Sequence, residues 1–150
     1  MAKPVPICFW LDRQLISSRS QLCYDYMRTL SADPAPDEVR KLASLYRGPF
    51  ALDFAYEEWA VVHRDALHAA YLQVVENSLA SDTASGHWDR GIVTARQALA
   101  IDPNAEHIEA SLVRLLRLSG AHAAAAEQYE HYSGVLREGL GIEPPPLDAL

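Results

Sequence analysis

The residues with the greatest potential for chemistry are six histidines, two cysteines and several carboxylate pairs. No HExxH pair and no Cys/His cluster with zinc spacing occurs in the sequence. His63 and His68 are five residues apart, so they lie on different faces of a helix. His63 follows Trp59 by one helical turn, which favours a hydrogen-bonded structural histidine over a ligand or catalyst. We therefore expect no metal site and no cofactor.

Catalytic motifs are also missing from the sequence, which contains no GxSxG, SxxK, GxxxxGK or GxGxxG. Carboxylate pairs such as Glu57 and Glu58 fall on polar helix faces, where a solvated surface is the usual role. Cys8 and Cys23 show neither CxxC spacing nor a disulfide framework, so we interpret them as reduced thiols. The sequence predicts that the protein is not an enzyme.

Length, composition and charge indicate one soluble domain over residues 1–150. The chain is 49% hydrophobic and carries a net charge of −7 with only 13 Lys and Arg residues, which makes it a poor free-standing DNA binder. No apolar run approaches the roughly 20 residues that a membrane span needs. The N-terminal residues lack a signal-peptide core, so the expected location is the cytoplasm.

Apolar residues recur at helical spacing along most of the chain, which predicts an all-α protein. The pattern predicts a helix from Leu11, a short helix starting at Pro36, and a long helix that ends in a polar turn over 81–86. Asp102 is the expected N-cap of a later helix, and Gly141 the expected end of the last one. Trp88 is expected in the core, so Trp88→Ala would remove about 3–5 kcal/mol of stability.

The sequence of the later predicted helices contains an internal repeat. Gly86 and Gly120 are 34 residues apart (120 − 86), which is the tetratricopeptide period. At the same offset, small residues Gly91 and Ala125 occupy positions where two helices must approach closely. The predicted fold is a tetratricopeptide-like, right-handed stack of antiparallel helix pairs, with a further helix starting near residue 147.

Short motifs in order along the chain make the comparison more specific. Together they resemble the bacterial transcriptional activator domain, the tetratricopeptide-like module of SARP-type regulators, over about Trp10 to Leu147. The motifs are Leu45-Tyr46-Arg47-Gly48-Pro49-Phe50, Glu58-Trp59, Arg64-Asp65-Ala66-Leu67, Ala100-Ile101-Asp102-Pro103, Glu106, Gly120, Ala125, Tyr129 and Leu136…Leu140-Gly141-Ile142-Glu143-Pro144. Gly139 departs from this family's pattern, which usually has Glu there.

The resemblance implies a regulatory and protein-interaction module of a bacterial transcription regulator, with dimerisation as a further role. In such regulators the module usually follows a winged-helix DNA-binding domain, and we expect none within residues 1–150. The chain would be either an excised fragment or a stand-alone relative. Expected partners are its own or a separate DNA-binding domain, an RNA polymerase subunit or a second copy. Two alternatives stay open: a module sensing a small anionic effector, and a tetratricopeptide scaffold unrelated to transcription.

A candidate binding groove follows from the repeat, because the first helix of each tetratricopeptide pair lines the concave face. Counting back from the two turn glycines places the following side chains there: His107, Arg114, Arg117, Gln73 and Glu76. Arg114 and Arg117 are i,i+3 neighbours and form a cationic strip suited to an acidic peptide, a carboxylate or a partner helix. In the alternative interpretation, these arginines pair with Glu106, Glu109 or another surface carboxylate.

Overall fold

The computed structural model describes residues 18–31, 34–50, 53 and 56–150, without the side chains of Trp59 and Leu140. The start of the predicted helix at Leu11 lies outside these residues. The described part contains no strand, and its helices, in chain order, are α1 (Arg19–Met27), α2 (Pro36–Leu45), α3 (Glu58–Ser85), α4 (Trp88–Ile101), α5 (Glu106–Leu118), α6 (His122–Gly134), a π-helical extension (Val135–Leu140) and a 3-10 turn (Leu147–Ala149).

The core runs through the stack formed by α3, α4, α5 and α6, where each helix packs against the next. Tyr71 and Leu79 of α3 and Ile108, Leu112 and Leu115 of α5 are almost completely buried. With the buried Val75 between Tyr71 and Leu79, these positions recur at three- to four-residue intervals, because one stripe of each helix faces its neighbours. The predicted all-α class is confirmed. No helix among the described residues has the length and apolar character needed to cross a membrane.

The two repeat glycines both end a helix in the left-handed conformation. Gly86 has φ 74° and Gly120 has φ 83°, which a residue with a side chain adopts only with strain. After each glycine the next amide bonds back to the helix, from His87 to the Asp82 carbonyl and from Ala121 to the Leu116 carbonyl, both at 2.9 Å. The 34-residue offset therefore repeats the same corner. The predicted polar turn over 81–86 is wrong, because α3 continues to Ser85 before this corner.

Gly91 lies where α4 packs tightly against α5. A Cβ atom placed on Gly91 would lie 2.9 Å from Cδ1 of Leu115 and 3.4 Å from Cβ of Asp82. Any side chain at this position would therefore displace the buried Leu115. The prediction that this position must be small is confirmed.

The predicted N-cap at Asp102 is wrong. Asp102 is the C-cap of α4, and α5 begins only at Glu106, after Ala105. The Asp102 carboxylate accepts a bond from the Asn104 amide at 3.0 Å and so stabilises the turn between the helices. The Asp-Pro-Asn sequence was thus correctly placed at a helix break, but its carboxylate belongs to the turn.

Trp88 is also more exposed than predicted. It retains 36% of its surface because it is the first residue of α4 and lies at the edge of the stack. Replacing an indole that keeps a third of its surface in water removes less apolar burial than replacing a buried one. The expected loss of about 3–5 kcal/mol for Trp88→Ala is therefore too high.

Candidate functional site: a groove beside α5

One face of α5 forms the wall of a cavity of about 420 Å³. We call this cavity the α5 groove; it is lined by Glu76 of α3, by His107, Ala110, Ser111 and Arg114 of α5, and by Ala149 and Leu150 of the C-terminal segment. The α5 residues share a face because they are three to four positions apart. The structure therefore brings together three of the five predicted groove residues: Glu76, His107 and Arg114.

The α5 groove is lined by one arginine, one histidine and one glutamate. Arg114 and His107 are both exposed. Arg114 has no hydrogen bond or ion pair within the described part of the chain. The Ser111 hydroxyl is occupied, because it donates to the main-chain carbonyl of His107 at 2.8 Å. Glu76 is the one acidic side chain in the lining. A free guanidinium at the wall of a cavity is suited to bidentate contact with a carboxylate.

Arg117 has a different role from the one predicted. Its guanidinium donates to the Leu147 carbonyl at 2.7 Å, so it holds the C-terminal segment and does not line the cavity beside Arg114. The partner lies 30 residues away in sequence, which helical periodicity does not reveal. The two arginines therefore do not form one strip: Arg117 binds the C-terminal segment, and Arg114 lines the groove.

Tyr129 of α6 binds the same segment two residues earlier in the chain. Its hydroxyl donates to the Pro145 carbonyl at 2.8 Å, and the neighbouring Pro144 is buried. Gly141, with φ 66°, ends the helical extension and lets the chain turn back. The sequence identified this end of the helix and the aromatic position, but not the hydrogen bond that Tyr129 makes.

Gln73 does not belong to the groove. Its exposed amide donates to Asn77 Oδ1 at 3.1 Å on the same helix, and it is absent from the lining of the cavity. The alternative partners proposed for the arginines are wrong as well. No ion pair among the described residues joins Arg114 or Arg117 to Glu106 or Glu109.

Glu109 is instead a buried carboxylate between α5 and α6. It is 2% exposed, and its Oε1 lies 2.9 Å from Nδ1 of the largely exposed His131. Its Oε2 has no hydrogen-bond partner in the described structure. Burial raises the pKa of Glu109, although His131 acts in the opposite direction. The sequence does not reveal this pair, because Glu109, in the first turn of α5, has the position of an ordinary surface carboxylate.

Glu109→Gln is expected to stabilise the protein increasingly as the pH rises above about 4.5. A carboxyl whose pKa is raised by folding stabilises the native state below its unfolded pKa, and this contribution disappears as the pH rises through the folded pKa. The gain should grow between pH 4 and pH 6, because the buried carboxyl of the parent chain loses its proton over this range while the glutamine stays neutral. Urea unfolding of both proteins from pH 4 to pH 6 measures the difference.

His131→Ala is the matched control for this pH effect. It removes the hydrogen bond between His131 and Oε1 of Glu109, so that neither carboxylate oxygen has a partner in the described structure. The loss of stability between pH 4 and pH 6 should become steeper than in the parent chain. Parallel stability curves for all three proteins would show that burial of Glu109 does not perturb its titration.

A second polar cluster joins α2, α3 and the end of α4. The Tyr46 hydroxyl lies 2.6 Å from His68 Nδ1, and His68 Nε2 lies 2.9 Å from Asp102 Oδ2. Because the pKa of Tyr46 is raised by burial, the hydroxyl keeps its proton and donates to His68, which in turn donates to Asp102. Tyr46 is 2% exposed, so its hydroxyl is out of reach of a substrate.

His63 contacts aromatic rings. His63 packs against the rings of Tyr24 and Phe50, with centroid distances of 5.6 and 5.1 Å, so its contacts are aromatic and the expected hydrogen bond is not among them. Within residues 18–31, 34–50, 53 and 56–150, no three His, Cys, Asp or Glu side chains are grouped to hold a metal ion.

The helical stack, with its two matching glycine corners, defines the class of tetratricopeptide-like helical domains. Within this class, residues 20–147 match the family described as the bacterial transcriptional activator domain, and the chain belongs to that family. It is therefore a module of the transcription-activator class. No curated protein and no solved structure gives a significant match.

Proposed function

We propose that this chain is the protein-interaction module of a cytoplasmic bacterial transcription regulator and that the α5 groove is its contact surface. The partner is a DNA-binding domain, of the same or a separate chain, or an RNA polymerase subunit. Self-association is a further role. The module neither catalyses a reaction nor reads DNA, and residues 1–150 form one domain.

The observation that carries this proposal is the free guanidinium of Arg114 beside His107 in the α5 groove. An arginine that packs against a cavity without an intramolecular partner is available to bind a carboxylate. Membership of the transcriptional activator family favours a regulatory partner over an unrelated scaffold role.

Arg114→Ala should weaken capture of the partner while leaving the fold intact. An exposed arginine contributes about 1 kcal/mol or less to stability, whereas loss of a charge-assisted contact weakens binding about tenfold or more. Pull-down with the DNA-binding domain and with polymerase subunits, together with circular-dichroism melting, measures both effects. Arg96→Ala, an exposed arginine of α4 outside the groove, is the matched control. Equal capture by both variants would reject the groove as the contact surface.

The chain should not bind duplex DNA measurably at physiological salt. DNA affinity depends on the neutralisation of phosphates by Lys and Arg, and the acidic groups here outnumber the basic ones by 20 to 13. Fluorescence anisotropy with labelled duplexes at two salt concentrations tests this prediction. Salt-sensitive binding at micromolar concentrations would assign DNA contact to the module itself.

A small anionic effector is a second candidate occupant, because the volume of about 420 Å³ lies within the usual range for small-ligand pockets. A ligand at 100 times its Kd stabilises the folded chain by about 2.7 kcal/mol. A thermal-shift screen with carboxylates and phosphates, on the parent chain and Arg114→Ala, tests this candidate. Binding of such an effector in the groove requires a rise in the melting temperature of the parent chain that disappears in Arg114→Ala.

A further inference from the structure

The C-terminal segment is held to the stack through its backbone. Tyr129 donates to the Pro145 carbonyl and Arg117 to the Leu147 carbonyl, so two side chains bind alternate carbonyls where the segment enters its 3-10 turn. Pro146, between them, has φ −62° and ψ 147°, the polyproline II conformation. Contacts of this kind do not depend on which side chains the strand carries. They are a general means of binding proline-rich peptides.

The side chains of the segment contribute less to this contact. Pro144 is buried, but Pro146 and Asp148 are exposed and Leu147 is only half-buried. Because few of its side chains are enclosed, another peptide with the same backbone conformation could replace the segment without opening the core. Glu143 is exposed and pairs with Arg137 at 2.8 Å.

Beyond Leu147 the segment reaches the α5 groove but does not satisfy its charge. Ala149 and Leu150 line the cavity together with Arg114 and His107. Neither side chain carries an anion, and neither Asp148 nor the carboxylate of Leu150 forms an ion pair with Arg114 in the part of the chain that the structure describes. The contacts of Tyr129 and Arg117 with the proline-containing backbone therefore lie next to the α5 groove, in which the guanidinium of Arg114 is unpaired.

We propose that Tyr129, Arg117 and the α5 groove together bind a proline-containing peptide of a partner protein that carries acidic residues three and four positions after its last proline. This peptide exchanges with the chain's own residues 144–150. Its backbone accepts the bonds from Tyr129 and Arg117, and its carboxylates bind Arg114 and His107, which the internal segment leaves unused. The inference rests on the proposed function for the choice of the α5 groove.

The internal segment weakens binding of such a peptide by competition. A tethered competitor acts at an effective concentration in the millimolar range, so the groove is free only part of the time. The apparent Kd rises in proportion as the free fraction falls. A peptide with acidic residues should overcome this competition better than a copy of the internal segment.

Two synthetic peptides test the chemistry on the full chain. One copies residues 142–150, and the other copies residues 142–148 and continues with two glutamates. We expect the acidic peptide to bind at least tenfold more tightly by fluorescence anisotropy, through charge-assisted contacts. Arg114→Ala should abolish this preference, whereas the Arg96→Ala control should retain it. Equal affinity of the two peptides, or a preference that survives Arg114→Ala, would overturn the proposal.

Two variants of the segment test the exchange. Pro146→Gly makes the released segment more flexible without removing either hydrogen-bonded carbonyl, so it should tighten binding of the acidic peptide severalfold. Ala149→Glu gives the segment its own carboxylate opposite Arg114 and should weaken binding severalfold while raising the melting temperature. Unchanged affinity in both variants would show that the peptide does not compete with residues 144–150.

Failure of the peptide proposal can be distinguished from failure of the proposed function. If pull-down of the regulatory partner depends on Arg114 but no acidic peptide binds the parent chain or Pro146→Gly, the groove is a contact surface for a folded partner and the peptide proposal is wrong. If neither the partner nor the peptide depends on Arg114, both proposals fail.

Discussion

Replacing Arg90 by alanine is expected to lower the free energy of unfolding by about 3–5 kcal/mol. Arg90 of α4 binds Asp82 near the end of α3 through Nε, at 2.6 Å from Oδ1, and through Nη2. The Asp82 side chain is 2% exposed, and its Oδ2 has no hydrogen-bond partner among the described residues. Removing the arginine leaves this buried carboxylate without its ion-pair partner. Urea unfolding at neutral pH measures the loss.

The source of the Arg90 effect can be isolated with Asp82→Asn. If the loss arises from an uncompensated buried charge, adding Asp82→Asn to Arg90→Ala should restore part of the stability, because the asparagine is neutral. Arg96→Ala, an exposed arginine of the same helix, should change stability by no more than about 0.5 kcal/mol. A double variant less stable than Arg90→Ala alone would contradict this explanation.

Tyr46→Ala is expected to remove a similar amount, about 3–5 kcal/mol, as large aromatic truncations in a core do. Tyr46 follows α2 and stacks on Tyr71 of α3 with ring centroids 4.2 Å apart. Its hydroxyl begins the chain of hydrogen bonds through His68 to Asp102. The substitution would therefore leave a cavity and also separate α2 from the end of α4. Chemical unfolding monitored by circular dichroism measures the change.

Tyr46→Phe separates the ring from its hydroxyl. It keeps the stacking on Tyr71 and removes only the donor to His68, so a loss of about 1 kcal/mol is expected. His68→Ala should resemble it in size, with an additional contribution from the lost ring contact. If Tyr46→Phe destabilises as much as Tyr46→Ala, the hydrogen-bonded chain and not the packing would be the main contribution of this residue.

The sequence was sufficient for the features that depend on local periodicity. Apolar spacing predicts the helices, and the two glycines at a 34-residue offset predict the matching corners. The position of Gly91 in the repeat predicts a close approach, which the structure shows against Leu115. Glu76, His107 and Arg114 line one cavity because residues at tetratricopeptide spacing share a face. Each of these features repeats at regular intervals along the chain and can be counted directly.

Helix ends were predicted less well than helices. The polar run before Gly86 is typical of a turn, yet α3 continues to Ser85 because Asp82 is buried by contact with α4 and Arg90. Asp102 is of a residue type that is favoured at N-caps, but its carboxylate binds the Asn104 amide and His68 instead. At these positions a tertiary contact outweighs the local preference of the residue.

Only the tertiary structure decided the partners of the polar side chains. Arg117 and Arg114 are equivalent by spacing, but the return of the C-terminal segment gives Arg117 a carbonyl and leaves Arg114 free. Glu109 lies in the first turn of α5 like Glu106, yet α6 covers it and His131 becomes its partner. Helical periodicity assigns a residue to a face, whereas the distance to a group 20 to 30 residues away depends on how complete elements pack.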